Sequence, residues 1–393
     1  MSIPTDYRSG LAAATPIDPV MAERYVRHMT IGDPAADALV AEFQRHPAAQ
    51  QREWMRRGIE EGPAALADAP DAVRAFFADI EQVPDWFDPK AAGLGCRAFH
   101  RHSEMFLGAF VGAVLIEGFS TRISKSFSIT GRLVDQGVRR LKQNNLHLVE
   151  IFMPGGLDRR GEGWRLSVRI RLIHARVRHL LSNSDEWDLE AWGTPLSSAH
   201  IAYATAAFSG LLLQRAAMLG VALTAEERAS FMMIWRYSGW LMGVDPELLF
   251  ADQEEALRIH RIGTLCEPPP DLESILLANG LINSAPIVAG IADPKARKAL
   301  TKRIYTISRA LIGDALADRL RYPKSHRLSG MGALALLRWT NRMERLLYGL
   351  VPALGRRRRA GQFQRMLEVS FHDPAGISYR MPEKLHAEKD APL

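Results

Sequence analysis

The sequence predicts an all-α fold. Apolar residues recur at helical spacing through most of the chain, no segment alternates in the manner of a β-strand, and Pro and Gly mark the borders between the periodic segments. With 393 residues, of which 47% are hydrophobic, the chain is long enough to bury a large core as one domain or two. No internal repeat is apparent.

Residues 1–93 are predicted to form a cap of short helices. Four segments show helical spacing, at 19–27, 35–45, 50–59 and 72–80. Pro and Gly separate them, and Pro84-Asp-Trp-Phe-Asp-Pro89 ends the group. The rest of the chain is then divided into a helical core, residues 94–370, and a polar tail, residues 371–393.

Residues 94–119 are predicted to form one long helix that begins polar and becomes apolar. Small residues such as Gly108 and Gly112 would let another helix or a flat ligand approach closely. Within this segment, Glu117 is the only carboxylate that follows the apolar run. If buried, it would have a raised pKa and could act as a base; the alternative is an exposed helix end.

The remaining core is also predicted to be helical. A helix is predicted from 130 to Leu141, and a second helix follows it to Phe152. Pro154-Gly-Gly156 ends this second helix. Residues 187–198 should form a loop. Further helices are predicted at 199–218, 226–244, 246–262, 271–281, 294–316 and 332–354.

The most informative helix is the central one, predicted over 167–181. Its apolar residues form one arc, Arg171 and Arg178 lie just beyond the edge of that arc, and His174 lies on the seam. A neutral imidazole here could ligate the iron of a porphyrin, and the arginines could face its anionic propionates. The commoner arrangement is a packed histidine beside solvated arginines.

Several other classes of protein are disfavoured. The net charge is +6, but the basic residues are dispersed, so no nucleic-acid partner is predicted. The run 356–359 is all arginine and is either a solvated helix end or a peripheral contact with an anionic membrane. Dinucleotide, phosphate-loop, Cys-x-x-Cys, zinc-protease and hydrolase motifs are absent.

Two further alternatives concern metal binding. His100 and Glu104 could share a helix face, but the only Glu-x-x-His motif is Glu383 to His386 in the tail, which leaves a di-metal bundle short of ligands. Cys266 as a thiolate haem ligand lacks the expected surroundings, so a histidine is preferred. Two cysteines, no apparent signal peptide and no apolar run of bilayer length favour a soluble, cytoplasmic protein.

Five segments together resemble the latex clearing protein or rubber oxygenase family, which also contains a fungal oxygenase of mycophenolic acid biosynthesis. They are Met153-Pro-Gly-Gly156, Gly163-Trp164, Arg171-Leu-Ile-His174-Ala-Arg-Val-Arg178-His179, Trp192-Gly-Thr-Pro195 and Trp235-Arg-Tyr-Ser-Gly239-Trp-Leu-Met-Gly243. The resemblance covers about residues 94–256. It implies a globin-like helical core, with additional N- and C-terminal helices, around one non-covalent haem b.

The resemblance also implies residue roles. His174 matches the proximal iron ligand, with Arg171 and Arg178 as its cofactor-binding neighbours. Arg140 matches a distal catalytic arginine, whereas Gln143 and Asn144 replace a lysine and a threonine. Asn144 could still donate a hydrogen bond to oxygen, and Arg140 could stabilise charge on it.

The function expected from the resemblance is haem-dependent oxidation or cleavage of a carbon-carbon double bond, with dioxygen and an apolar isoprenoid or lipid-like substrate. Haem would bind between the central helix and residues 94–119. The alternatives are a non-catalytic haem sensor or carrier and a haem-free helical interaction protein.

Overall fold

The computed structural model of the chain describes residues 3–129, 137–325, 327–350 and 352–371, together with Tyr379, Met381, Pro382, Lys384 and Leu385 of the tail. Across these residues the fold is all-α, with no strand. The first part of the predicted helix at 130–141, namely 130–136, lies outside the described residues. So do Glu383 and His386 of the tail motif and the side chains of Arg356, Arg358 and Arg359.

The N-terminal part, up to Asp79, consists of short helices, as the Pro and Gly spacing predicts. They are α1 (Arg8–Ala14), α2 (Pro19–His28), α3 (Pro34–Phe43), α4 (Ala48–Glu60) and α5 (Asp71–Asp79). The side chains of Asp18 and Asp33 accept backbone N–H bonds and cap α2 and α3, and each cap is followed by a proline at the first helical position.

The middle of the chain supplies the helices around the candidate site. They are α6 (Pro89–Arg101), α7 (Ser103–Ala109), α8 (Leu115–Phe119), α9 (Ile123–Ile129), α10 (Gly137–Ile151), α11 (Glu162–Ser182), α12 (Leu189–Trp192), α13 (Ser198–Ala206), α14 (Leu212–Met218) and α15 (Ala225–Leu241). Two π-helical segments, Phe110–Val114 and Ala207–Leu211, join α7 to α8 and α13 to α14.

The C-terminal part continues the same architecture. Its helices are α16 (Gln253–Cys266), α17 (Leu272–Val288), α18 (Pro294–Ile312), α19 (Asp314–Arg319), α20 (Arg327–Leu350) and α21 (Pro352–Phe371). Three 3-10 turns, Thr5–Tyr7, Pro63–Leu66 and Pro246–Leu248, complete the described elements. Met381 and Leu385 of the tail pack against the hydrophobic core.

Several predicted helix boundaries were wrong. The predicted helix 246–262 begins only at Gln253, after the 3-10 turn Pro246–Leu248. The predicted helix 94–119 breaks at His102, where φ is −124° and ψ is 25°, and bends by 82°. The described part of 137–152 is one helix, α10, rather than two. The predicted helix 294–316 ends at Gly313, whose φ of 86° is left-handed and therefore leaves the α-helical conformation.

Helix α11 lies at the centre and packs against α3, α10 and α15. Trp164 and Leu172, both almost completely buried, anchor it in the core. Within the described residues no single helix is long and apolar enough to cross a bilayer; Pro89–Arg101 and Ser103–Phe119 meet that criterion only when taken together, as a bent pair.

Candidate functional site

A large cavity lies beside α11, and His174 forms part of its wall. The cavity has about 1070 Å³ of empty space, part of which is open to solvent, and it is lined mainly by apolar side chains from α8 to α11, α13 and the following π-helical segment. The described lining residues are Phe119, Ile123, Phe127, Arg140, Gln143, Asn144, His147, Ile170, Ile173, His174, Val177, Leu196, Ile201, Ala204, Thr205, Phe208, Met242 and Tyr379. A mostly apolar lining with a few polar side chains is typical of a site for an organic ligand.

His174 is a neutral imidazole with unused hydrogen-bonding capacity. Burial, and next the positive charge of Arg178, lower its pKa to about 3. Its Nδ1 atom is buried and has no hydrogen-bond partner, while part of the residue remains accessible. Neutral imidazole is the form that ligates iron, and buried nitrogens are normally satisfied, so these observations fit a ligand-binding histidine.

Arg171 and Arg178 are buried and paired with carboxylates of α3. Arg171 donates Nε and Nη2 to Asp33 at 2.5 and 2.9 Å, in a bidentate arrangement. Arg178 donates Nε to Asp37 at 2.8 Å and Nη1 to the carbonyl of Leu196 at 2.6 Å. The two arginines flank His174 as the helical spacing predicts, but much of their charge is already balanced within the protein.

Two glycines leave room for these ion pairs. A Cβ on Gly243, whose φ is +80°, would lie 2.1 Å from Oδ2 of Asp33, and a Cβ on Gly32 would lie 2.4 Å from Oδ2 of Asp37. At either distance the carboxylate would have to shift, and with it its pairing to the arginine. The start of α3 is further fixed because the backbone N–H of Asp33 donates to Asp37 at 3.0 Å.

Arg140 and Asn144 lie on α10 and line the same cavity as His174. The Arg140 guanidinium carbon lies 3.7 Å from the centroid of the Phe127 ring, a cation-π contact. Asn144 donates one amide N–H to the carbonyl of Arg140 at 2.9 Å, which uses one of its two donor groups. The structure therefore brings together His174, Arg140 and Asn144, as the sequence-based roles require.

His147 is a functional candidate that the sequence analysis missed. It lines the cavity, is 6% exposed, and burial lowers its pKa to about 4. Ser167 donates its only hydroxyl proton to Gly163 at 2.8 Å, so His147 Nε2 acts as the donor to Ser167 at 3.0 Å. Ser238, from the Trp235 to Gly239 motif, lies 3.4 Å from the same nitrogen.

Tyr379 is the second residue that sequence reasoning missed. It belongs to the tail, yet it lines the cavity and donates its hydroxyl to the carbonyl of Gln143 at 2.5 Å. Burial raises the pKa of the Tyr379 phenol. No sequence signal pointed to this contact, because it joins residues 236 positions apart.

Glu117 is buried, but it does not line this cavity. Burial raises its pKa, and Arg215 opposes that rise by donating Nε at 3.1 Å and Nη2 at 2.5 Å. Glu117 instead lines a smaller pocket with Tyr203 and His260. Among the described residues no carboxylate lines the cavity beside His174.

The other ligand candidates do not converge on the cavity. The described residues contain no group of three His, Cys, Asp or Glu side chains placed to hold a metal ion. Cys266 is buried away from the cavity, and burial raises its thiol pKa to about 12. Of the segment 94–119, only Phe119 lines the cavity, so α10 and α13, rather than α6 or α7, form the walls next to α11.

Comparison with known proteins assigns the family. Residues 97–342 match the family described as "ER-bound oxygenase mpaB/B'/Rubber oxygenase, catalytic domain", and the chain belongs to it. This confirms the resemblance drawn from the five sequence segments.

Two similar proteins are informative. A rubber oxygenase of a Streptomyces species is 24% identical over 231 residues, 57% of this chain and 52% of that protein, so the match spans about half of its length. The solved structure of latex clearing protein in the closed state aligns with a TM-score of 0.64 and 20% identity, covering 87% of this chain and 90% of that one. This structural likeness confirms the helical fold.

Proposed function

We propose that this protein is a haem b-dependent oxygenase that uses dioxygen to oxidise or cleave a carbon-carbon double bond in an apolar, isoprenoid or lipid-like substrate. The observation that carries the proposal is His174, a neutral imidazole without a hydrogen-bond partner for its buried Nδ1, in the wall of a large and mostly apolar cavity. Membership of an oxygenase family, and the name of the rubber oxygenase that the chain resembles, support this chemistry and an apolar substrate.

His174 would hold the haem iron, and bound haem would supply the activation of dioxygen. Arg171 uses two of its five N–H groups on Asp33, so the others remain chemically able to meet a propionate. We expect both arginines to act first as anchors that fix α11, and with it His174, against α3. Their part in cofactor binding is secondary to this anchoring.

Arg140 and Asn144 would act on the oxygen that reacts. The Arg140 guanidinium places a fixed positive charge beside the cavity, where it would stabilise negative charge that develops during the reaction. Asn144 has a second N–H to donate. Phe119 and Phe208 would pack against an apolar substrate and exclude water.

Proton exchange in the cavity would not depend on a carboxylate. In the described wall the groups able to exchange protons are His147 and Tyr379. His147 Nε2 carries its proton toward Ser167, so its Nδ1 is the atom able to accept one. Tyr379 keeps its proton because its pKa is raised, and it donates that proton in a hydrogen bond to the carbonyl of Gln143, so His147 is the better candidate for proton exchange.

The test is oxygen uptake by the hemin-loaded protein with a panel of isoprenoid alkenes such as squalene, with carbonyl products identified by mass spectrometry. Arg140→Leu should retain hemin and slow turnover by about a hundredfold, because it removes charge stabilisation. Arg258→Gln, which changes an exposed arginine on α16, should leave turnover unchanged. No oxygen uptake across the panel by hemin-loaded wild type would contradict the proposal.

A second candidate, non-catalytic haem binding, is favoured by one observation. His147 lines the same cavity and is also neutral, so the protein has two imidazoles there. The bonds of His147 to Ser167 and Ser238 compete with such a ligand role. Reversible oxygen binding without product, together with a six-coordinate spectrum that His147→Ala abolishes, would favour this candidate.

A further inference from the structure

Helix α20 has large apolar side chains on two opposite faces. Its inner face packs on the core through Leu334, which is 7% exposed, and Leu337. At about 100° per residue, the six residues of the opposite face fall within an arc of about 100°. They are Leu336, Trp339, Met343, Leu346, Leu347 and Leu350, and they are between 37% and 80% exposed. We call these six residues the outer face of α20.

The outer face of α20 differs from the other exposed apolar residues of the described chain. Several of those, such as Val20, Val83 and Leu189, occur singly on separate elements. Isolated exposed apolar side chains are normal on a soluble protein, whereas a contiguous stripe along one helix marks an interaction surface. The six residues of the outer face remain exposed although α20 packs onto α18 and α21.

Basic side chains follow one edge of the outer face. Arg342 is exposed about 90° from the centre of the stripe, Arg338 is exposed about 40° further round on the same side, and Arg357 is exposed on the neighbouring α21. Arg338 is held in place by its Nε bond to the carbonyl of Met218 at 2.6 Å. The acidic Glu344 lies beyond the opposite edge of the stripe, about 110° from its centre, and is half-buried. Trp339 is near the middle of the exposed stripe.

An exposed apolar face with basic side chains along one edge is typical of a helix that lies in the interface of a membrane. An apolar face with a tryptophan enters the boundary between headgroups and acyl chains, and flanking arginines contact anionic headgroups. We propose that the outer face of α20 binds the anionic surface of a phospholipid bilayer, with the helix axis parallel to the membrane. The inference does not depend on the proposed oxygenase chemistry.

A second copy of this chain fits the outer face less well. A symmetric antiparallel pair of α20 helices, related by a two-fold axis, would place the edge that carries Arg338 and Arg342 beside the same edge of its partner. Two arginine rows would then face each other and repel, which is destabilising. Anionic headgroups instead provide the opposite charge along that edge.

The experiment is flotation of the full chain with vesicles of phosphatidylcholine alone, or with about 30 mol % phosphatidylserine. Wild type should float with the anionic vesicles and much less with neutral ones, and salt should weaken binding. The double variant Trp339→Ser, Leu346→Ser should lose at least about tenfold in affinity. Arg342→Gln should lose about fivefold, since one basic residue contributes that much at an anionic surface.

The matched control is Leu272→Ser, Leu276→Ser, which removes two comparably exposed leucines from α17 and should leave flotation unchanged. Circular dichroism should show the same helix content for all variants. Equal flotation of wild type and the α20 double variant would overturn the proposal, as would equal binding to neutral and anionic vesicles. A wild-type dimer that the double variant dissociates, without flotation, would assign the outer face to a second copy instead.

Discussion

Asp33 and Asp37 pair with the two arginines beside His174 and balance much of their charge. They come from α3, 138 and 141 residues before their partners on α11, and they bind both guanidinium groups. Helical periodicity correctly predicted that Arg171 and Arg178 flank His174. It could not predict these carboxylate partners, because periodicity reports on neighbours within one helix and not on the residues of another.

Asp33→Asn should destabilise the protein by about 3 kcal/mol, because it leaves the Arg171 charge buried without its counter-charge. Asparagine caps a helix about as well as aspartate, so the start of α3 should be preserved. Urea unfolding measures the change. Glu254→Gln, which breaks an exposed pair with Arg258, should cost less than about 1 kcal/mol. Equal losses for the two variants would contradict the role of Asp33.

Gly243→Ala should destabilise the protein more than Gly313→Ala. Both glycines have a left-handed φ, of 80° and 86°, so the backbone strain of the substitution is similar. The new Cβ at 243 would lie 2.1 Å from Asp33, whereas at 313 nothing lies within 4 Å. The difference in unfolding free energy should exceed about 1 kcal/mol. Equal values would show that contact with the ion pair is unimportant.

At the scale of elements, α10, α11 and α15 meet at His147, which contacts Ser167 and Ser238. The Trp235 to Gly239 motif was recognisable in the sequence, but its contribution to this contact was not. The bend between α6 and α7 was also missed, since neither proline nor glycine stands at His102. Residues 94–119 were therefore predicted to form a wall of the site that α10 and α13, rather than α6 or α7, form next to α11.

Burial of His147 predicts a loss of stability in acid. Its pKa falls from 6.5 to about 4 on folding, so between these pH values the unfolded chain binds a proton that the folded chain does not. Stability should therefore decrease as the pH falls from about 6.5 to 4, by about 2 kcal/mol between pH 7 and 5. His147→Gln should reduce the pH dependence of urea unfolding by this amount. An unchanged dependence would contradict the assignment.

At the scale of the whole molecule, the helical class, the family and the position of the central helix could be predicted from the sequence. The predicted central helix, 167–181, lies inside the observed Glu162–Ser182. The return of the tail to the cavity through Tyr379 could not be predicted, because the tail is polar and carries no periodic signal. Long-range packing, rather than local pattern, determines which residues complete the cavity.

The central claim is that His174 holds haem in this cavity, and hemin titration followed by absorption spectroscopy tests it most directly. Wild type should develop a Soret band at one hemin per chain, and His174→Ala should lose or strongly shift it. His46→Ala, which changes a histidine paired with Glu42 on α3, should behave as wild type. No Soret band in wild type after hemin addition, or an identical band in His174→Ala, would contradict the account.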